Sequence, residues 1–183
     1  MTGGPAKVPT LDEIRRVLPA ARMVEGPAAA TLALCILTLG LPWEMTAITL
    51  ADVNWADGWV GVPQRGGHRR RIPLNDPALA LIGGLAGFRS EGQVVTGCRG
   101  ARYEARMFRA DRLRPLLAAV DAQAGGIEWS AHGIRRAGAT ALVAAGCTQD
   151  EVQALLGLRR SLATEIYGPD GTRAADVWAN LLS

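Results

Sequence analysis

The sequence predicts a mainly α-helical fold with a small antiparallel β-sheet, an α+β domain, and three observations carry that expectation. Helix-start signals recur in both halves of the chain, at Thr10/Glu13, Ser130 and Thr148/Glu151. Two strand-like runs, Trp59–Val62 and Arg70–Leu74, flank a Gly66-Gly67 turn. The composition, 49% hydrophobic with only 5% aromatic residues, suits packed helices better than a sandwich or a disordered chain. At 183 residues the chain fits one domain with a sizeable core.

Taken in order, residues 1–9 are small and turn-rich and read as a flexible tail, leaving 10–183 as the domain. Thr10 with Glu13 makes a capping box for a helix over about Leu11–Ala21. A second helix is expected over Pro27–Leu39 and a short third over Glu44–Leu50, before the two-stranded hairpin. Gln93–Thr96 is a candidate third strand. Tyr103–Ala124 has helical spacing of Phe108, Leu113, Leu116, Leu117 and Val120. Ser130 caps a helix over Ala131–Ala145 that Gly146 ends, and Thr148 with Glu151 opens another ending near Gly157. A short helix carries Tyr167, Gly168-Pro169 breaks it, and Thr172 caps a last helix to about Leu182.

Charge is more informative in its placement than in its sum. The formal net charge is +3, but the 20 cations are all arginine except Lys7, and residues 23–64 contain none of them. Arg69-Arg70-Arg71 and the series Arg99, Arg102, Arg106, Arg109, Arg112 and Arg114 concentrate guanidinium groups, whose planar forks suit phosphate. Cys35, Cys98 and Cys147 are odd in number and widely spaced, so neither a disulfide framework nor a metal site is expected, and a cytoplasmic setting is. The apolar run Pro27–Leu41 is too short for a membrane span and reads as a buried core helix, so no membrane partner is expected.

The most specific signal lies further on. His132-Gly-Ile-Arg135-Arg136, then Leu155-Leu156-Gly157, then Ala163-Thr164-Glu165-Ile166-Tyr167 follow one another without a gap. This stretch resembles the C-terminal active-site segment of tyrosine recombinases, the phage integrase family. Glu44, Leu50, Asp52 and Val53, and the strand Arg71-Ile72-Pro73-Leu74 after Gly66-Gly67, extend the likeness over nearly the whole chain. The resemblance implies an integrase catalytic-domain fold and double-stranded DNA as partner. The family's chemistry requires no metal or nucleotide cofactor: a tyrosine oxygen attacks the DNA phosphorus, forming a 3'-phosphotyrosine and releasing a 5'-hydroxyl. Two arginines and hydrogen-bonding His or Trp side chains clasp the phosphate oxygens, and a hairpin lysine protonates the leaving oxygen.

Carried onto this chain, the resemblance places the nucleophile at Tyr167, the second arginine at Arg135 and the motif histidine at His132. The lysine position falls on Arg65, a poor proton donor because guanidinium titrates above about 12. The first-arginine position falls on Leu41 or Pro42, and the second His or Trp position on Leu158; none of these side chains donates a hydrogen bond. Losing one such donor costs roughly 100- to 1000-fold in rate, and losing a transition-state arginine roughly 1000- to 100,000-fold. Three altered positions therefore predict a degenerate site that does not cleave efficiently.

Besides these positions, the expected DNA contacts are Arg65, His68, Arg69, Arg70, Arg71, Arg102, Arg106, Arg136, Arg159 and Arg160. The N-terminal DNA-binding domain usual in the family is expected to be lacking, which would leave affinity modest and salt-dependent. Three functions stay open at this level. The first is an accessory or regulatory DNA-binding protein of recombination, DNA integration or a mobile element. The second is a divergent active recombinase, with Arg159 or Arg160 supplying lost groups. The third is an interaction subunit that packs Asp176–Leu182 onto itself or a full-length recombinase through Trp178 and Leu181.

Overall fold

A computed structural model describes residues 8–63, 69–108, 130–158 and 171–183. Thr10 opens α1 (Leu11–Met23): its hydroxyl accepts from the Glu13 amide while the Glu13 carboxylate accepts from the Thr10 amide at 2.7 Å. Ile14, Val17, Leu18 and Ala21 then fall on one buried stripe. That stripe packs on α2 (Pro27–Thr38), which is buried from Ala29 to Thr38 and forms the centre of the domain. The hydroxyls of Thr31 and Thr38 tolerate this burial by donating back to Pro27 O and Leu34 O, each at 2.7 Å.

Leu39 ends α2 in the left-handed conformation, with φ 52°, although it is a fully buried non-glycine residue. The third helix is shorter and earlier than expected: α3 spans only Pro42–Met45, and a separate 3-10 turn covers Leu50–Asp52. The reason is local. The Glu44 carboxylate accepts from the Leu41 amide at 2.8 Å, so the helix starts with Pro42 as its first residue. It ends in a turn over Thr46 and Ala47, where the Ala47 amide donates to Glu44 O at 3.2 Å.

The sheet has three antiparallel strands in the order β1 (Val53–Asn54), β2 (Trp59–Pro63) and β3 (Arg69–Pro73). Val60 pairs with Ile72 and Val62 with Arg70, so these four side chains share one face. Trp59, Arg69 and Arg71 lie on the other face, where the Arg71 guanidinium stacks 4.4 Å from the Trp59 ring centroid. Gln93–Thr96 is not the third strand. It makes only isolated bridges, Thr49 to Gln93 and Thr96 to Arg102, because the Gln93 side-chain amide takes over the pairing. That amide donates to Thr46 O at 2.8 Å and accepts from the Tyr103 amide at 3.1 Å.

A helix not expected from the sequence, α4 (Asp76–Ala86), follows the sheet. Its signal was present in Asn75-Asp76-Pro77: the Asn75 oxygen accepts from the Ala78 amide at 3.0 Å, and its amide donates to Leu37 O at 3.1 Å, tying α4 to α2. The expected helix from Tyr103 does not begin there: Tyr103 and Glu104 are non-helical and Ala105–Met107 is a 3-10 turn, while 109–129 lies outside the described residues.

Ser130 caps α5 (Ala131–Ala144) through the Gly133 amide at 3.0 Å, and Gly146 follows at φ 84°. Thr148 and Glu151 form the expected capping box of α6 (Gln149–Leu156), which Gly157 closes at φ 62°. The last helix, α7 (Thr172–Leu182), starts with Thr172 as its first residue after Gly171, not with Thr172 as cap. It packs in cis on α1, α2, α5 and α6. The Thr148 amide, and after it Arg173, which donates to the Glu151 carboxylate at 2.7 Å, hold that carboxyl below its usual range. Thr148→Ala removes the cap of α6 and is expected to cost about 1 kcal/mol in chemical denaturation. No helix of the described residues is long and apolar enough to cross a membrane.

Candidate functional site

Arg135 from α5 and Arg70 from β3 come together at the C-terminal turn of α6. Arg135 leaves α5 on the inward side and donates to Leu39 O at 2.8 Å and to Leu156 O. Arg70 leaves β3 on the face of Val62 and Val60, and donates to Leu155 O at 3.1 Å. Two guanidinium groups therefore occupy two consecutive carbonyls at the negative end of one helix, where orphan acceptors and the macrodipole both favour cations.

Glu44 completes the cluster. Its carboxylate accepts from Arg70 Nε at 2.9 Å and Nη2 at 3.0 Å, a two-point pairing between side chains only 4% and 9% exposed. Arg135 has no carboxylate within ion-pair range among the described residues. Its pKa is pulled down to about 10, first by burial and then by Arg70, with Glu44 opposing. At neutral pH it still carries its charge, so among the described residues two cations face one anion. Beneath them, burial and then Glu44 push the Cys35 thiol up, so it stays protonated and inert.

Glycines make this packing possible. Gly138 lies against the Leu39 side chain, and Gly157 lies against the Arg70 side chain, so a Cβ at either position would overlap its neighbour. Gly157 has two reasons to be glycine, since it also adopts positive φ. The Leu39 carbonyl that receives Arg135 belongs to the one buried left-handed non-glycine residue among the described residues, which fixes its direction.

The remaining sequence-predicted residues sort by location. His132 and Arg136 are exposed and stand one turn apart on the outer side of α5, next to inward-facing Arg135. Arg71 is exposed over Trp59, whereas Arg69 is held by Asp52 and by Gly61 O at 2.8 Å. Arg102 and Arg106 are largely exposed beside Glu104, at 3.9 and 2.6 Å. Leu41 and Pro42 sit at the start of α3, beside Glu44, and Leu158 is half-exposed after Gly157. Tyr167, Arg65, His68, Arg159 and Arg160 lie outside the described residues. The sequence reading did not find the inward turn of Arg70 or its pairing with Glu44. The period of two along β3, which puts Arg70 on the face of buried Ile72, is the signal that could have shown it.

A small antiparallel sheet set among helices, with arginines from the sheet and from α5 meeting at the end of α6, defines an integrase-type catalytic domain. The chain belongs to the phage integrase family, whose family model matches residues 9–170. Tyrosine recombinase XerC of Mycobacterium tuberculosis is 29% identical over 132 residues, spanning 68% of this chain and 43% of the relative, and XerC of Mycobacterium bovis matches equally. The chain thus covers less than half the length of these relatives. In structure it is similar to the integrase of mycobacterium phage Brujita, with a TM-score of 0.72, 18% identity, and coverage of 100% of this chain and 60% of that one. The XerA recombinase gives a TM-score of 0.68 at 18% identity, covering 97% and 65%. A lambda integrase dimer bound to a COC' core site gives 0.63 at 18%, covering 94% and 62%.

Proposed function

We propose that this chain is a DNA-binding member of the tyrosine recombinase family that grips the duplex backbone during recombination or integration, with little or no strand cleavage of its own. The observation that carries this reading is the charge count of the buried cluster. Among the described residues, Arg135 and Arg70 outnumber Glu44, which leaves an excess cation at a desolvated site where a phosphate would be the natural counterion. Exposed His132, Arg136 and Arg71 add contacts of the kind that position a protein on a backbone without reading sequence. Against cleavage stands the absence of a side-chain donor at Leu41, Pro42 and Leu158. Arg70, the cation next to that gap, is neutralised by Glu44. Packing of α7 in trans is disfavoured, because its anchor Trp178 is fully buried in its own chain.

Two measurements test the reading. Duplex binding followed by gel shift across a salt series should show affinity falling steeply with salt, and Arg136→Gln or Arg71→Gln should each lower the slope of log affinity against log salt by about 0.9. A DNA substrate designed to trap a covalent phosphotyrosine should give no adduct above the level of Tyr167→Phe. An adduct that depends on Tyr167 would establish the active recombinase instead, and failure to bind duplex at low salt would refute DNA binding.

A further inference from the structure

We infer that Arg70 is a positioning residue of this site, a bracket that ties the β-hairpin strand to the turn after α6, and not itself a contact to DNA. The inference rests on the phosphate-binding reading above for its purpose, and on geometry for its content. Three Arg70 nitrogens are committed inward, two to Glu44 and one to Leu155 O, and the side chain is almost wholly buried. A cation so engaged has little left to offer a phosphate without abandoning a carboxylate, and that exchange leaves Glu44 buried and unpaired.

What the bracket holds is the part of the molecule that matters. Leu155 O and Leu156 O are adjacent carbonyls, one taken by Arg70 and the other by Arg135. Any movement of Arg70 therefore shifts the carbonyl next to the one that aims Arg135. The glycine after them, Gly157, closes on the Arg70 side chain so tightly that no Cβ fits. Its amide bonds to Ala154 O and the next amide, Leu158, to Gln153 O, both at 3.1 Å. From Leu158 the chain continues toward Tyr167. Arg70 thus joins three elements that are remote in sequence: β3, α3 through Glu44, and the exit of α6.

The test separates a bracket from a contact. Arg70→Lys keeps the charge but loses the fork, and the paired variant Glu44→Gln/Arg70→Gln removes both charges so that neither is left unpaired. Hydrogen exchange on the free protein should show the Gly157 and Leu158 amides opening about five- to tenfold faster in both variants, the change expected for one lost hydrogen-bonded cap. Amides of α2 should be unchanged, which shows that the fold survives. With duplex DNA, the paired variant should bind about tenfold more weakly at fixed salt, yet keep the wild-type salt slope, unlike Arg71→Gln. Unchanged exchange at Gly157 and Leu158 overturns the inference, as does a slope that falls by about one in the paired variant. If the wild-type protein does not bind duplex at all, the proposed function fails, and the exchange measurement still decides whether Arg70 is the bracket.

Discussion

Trp178→Ala is expected to destabilise the domain by about 3–5 kcal/mol, read as a lowered denaturant midpoint with little change in slope. The side chain is fully buried, and its indole Nε1 donates to Ile36 O at 2.6 Å in the last turn of α2. Truncation leaves a cavity of most of an indole between α7 and the central helix, and removes the bond that fixes how α7 sits. Because a domain of this size has only about 5–15 kcal/mol in total, the loss is a large share of its stability. Trp178→Phe keeps most of the volume and should cost about 1–2 kcal/mol, the size of the missing hydrogen bond with imperfect repacking. A further consequence is local. Arg15 Nε donates to Leu181 O at 2.6 Å, a bond that depends on α7 being seated, so residues 172–183 should become sensitive to protease in Trp178→Ala before the rest of the domain. Equal stability of Trp178→Ala and wild type would mean that α7 is not docked on its own chain.

Glu44→Ala is expected to cost a comparable 3–5 kcal/mol, for a different reason. Among the described residues the carboxylate is the one anion facing Arg70 and Arg135, and it also closes the amide of Leu41 at the start of α3. Its removal leaves two guanidinium groups at adjacent carbonyls with no described carboxylate between them, in a place from which water is largely excluded. The cost should therefore exceed that of exposed ion pairs such as Arg15 with Asp12, whose deletion is worth about 0–1 kcal/mol. A double-mutant cycle with Arg70→Gln isolates the pair: the two changes together should cost clearly less than the sum of the singles. Additivity would mean that the pairing contributes nothing specific.

Much of this fold is written locally. Thr10/Glu13, Ser130 and Thr148/Glu151 marked three helix starts because a cap is a matter of four consecutive residues. The hairpin strands followed from alternation beside a glycine turn. The sequence reading does not find helix α4 although Asn75-Asp76-Pro77 announces it: its Gly83-Gly84 pair reads as a break, and its buried face of Ala78, Ile82 and Ala86 is set by packing on α2. Gln93–Thr96 was read as a strand because its pattern fits one. Its backbone found other partners, and only the position of Gln93 beside Thr46 and Tyr103 decides that.

The candidate site divides in the same way. Arg135, His132 and Arg136 could be named because His132-Gly-Ile-Arg135-Arg136 resembles a motif of the family, and they lie on one helix whose start is locally capped. Which of them faces inward could not be read so easily, and the fate of Arg70 not at all. Three consecutive arginines look alike in sequence; in the sheet, the middle one is buried against Glu44 while its neighbours face solvent.

The sequence by itself determined the family, most of the capped helices around a small sheet, and which chemical groups the chain has to offer. The tertiary structure alone decided how those groups are spent. Burial and pairing depend on residues 26 and 85 positions away from Arg70, and a local pattern contains no information about contacts at that range. Desolvation then turns those contacts into the dominant energies of the site, because a charge removed from water must be answered by whatever the fold brings beside it.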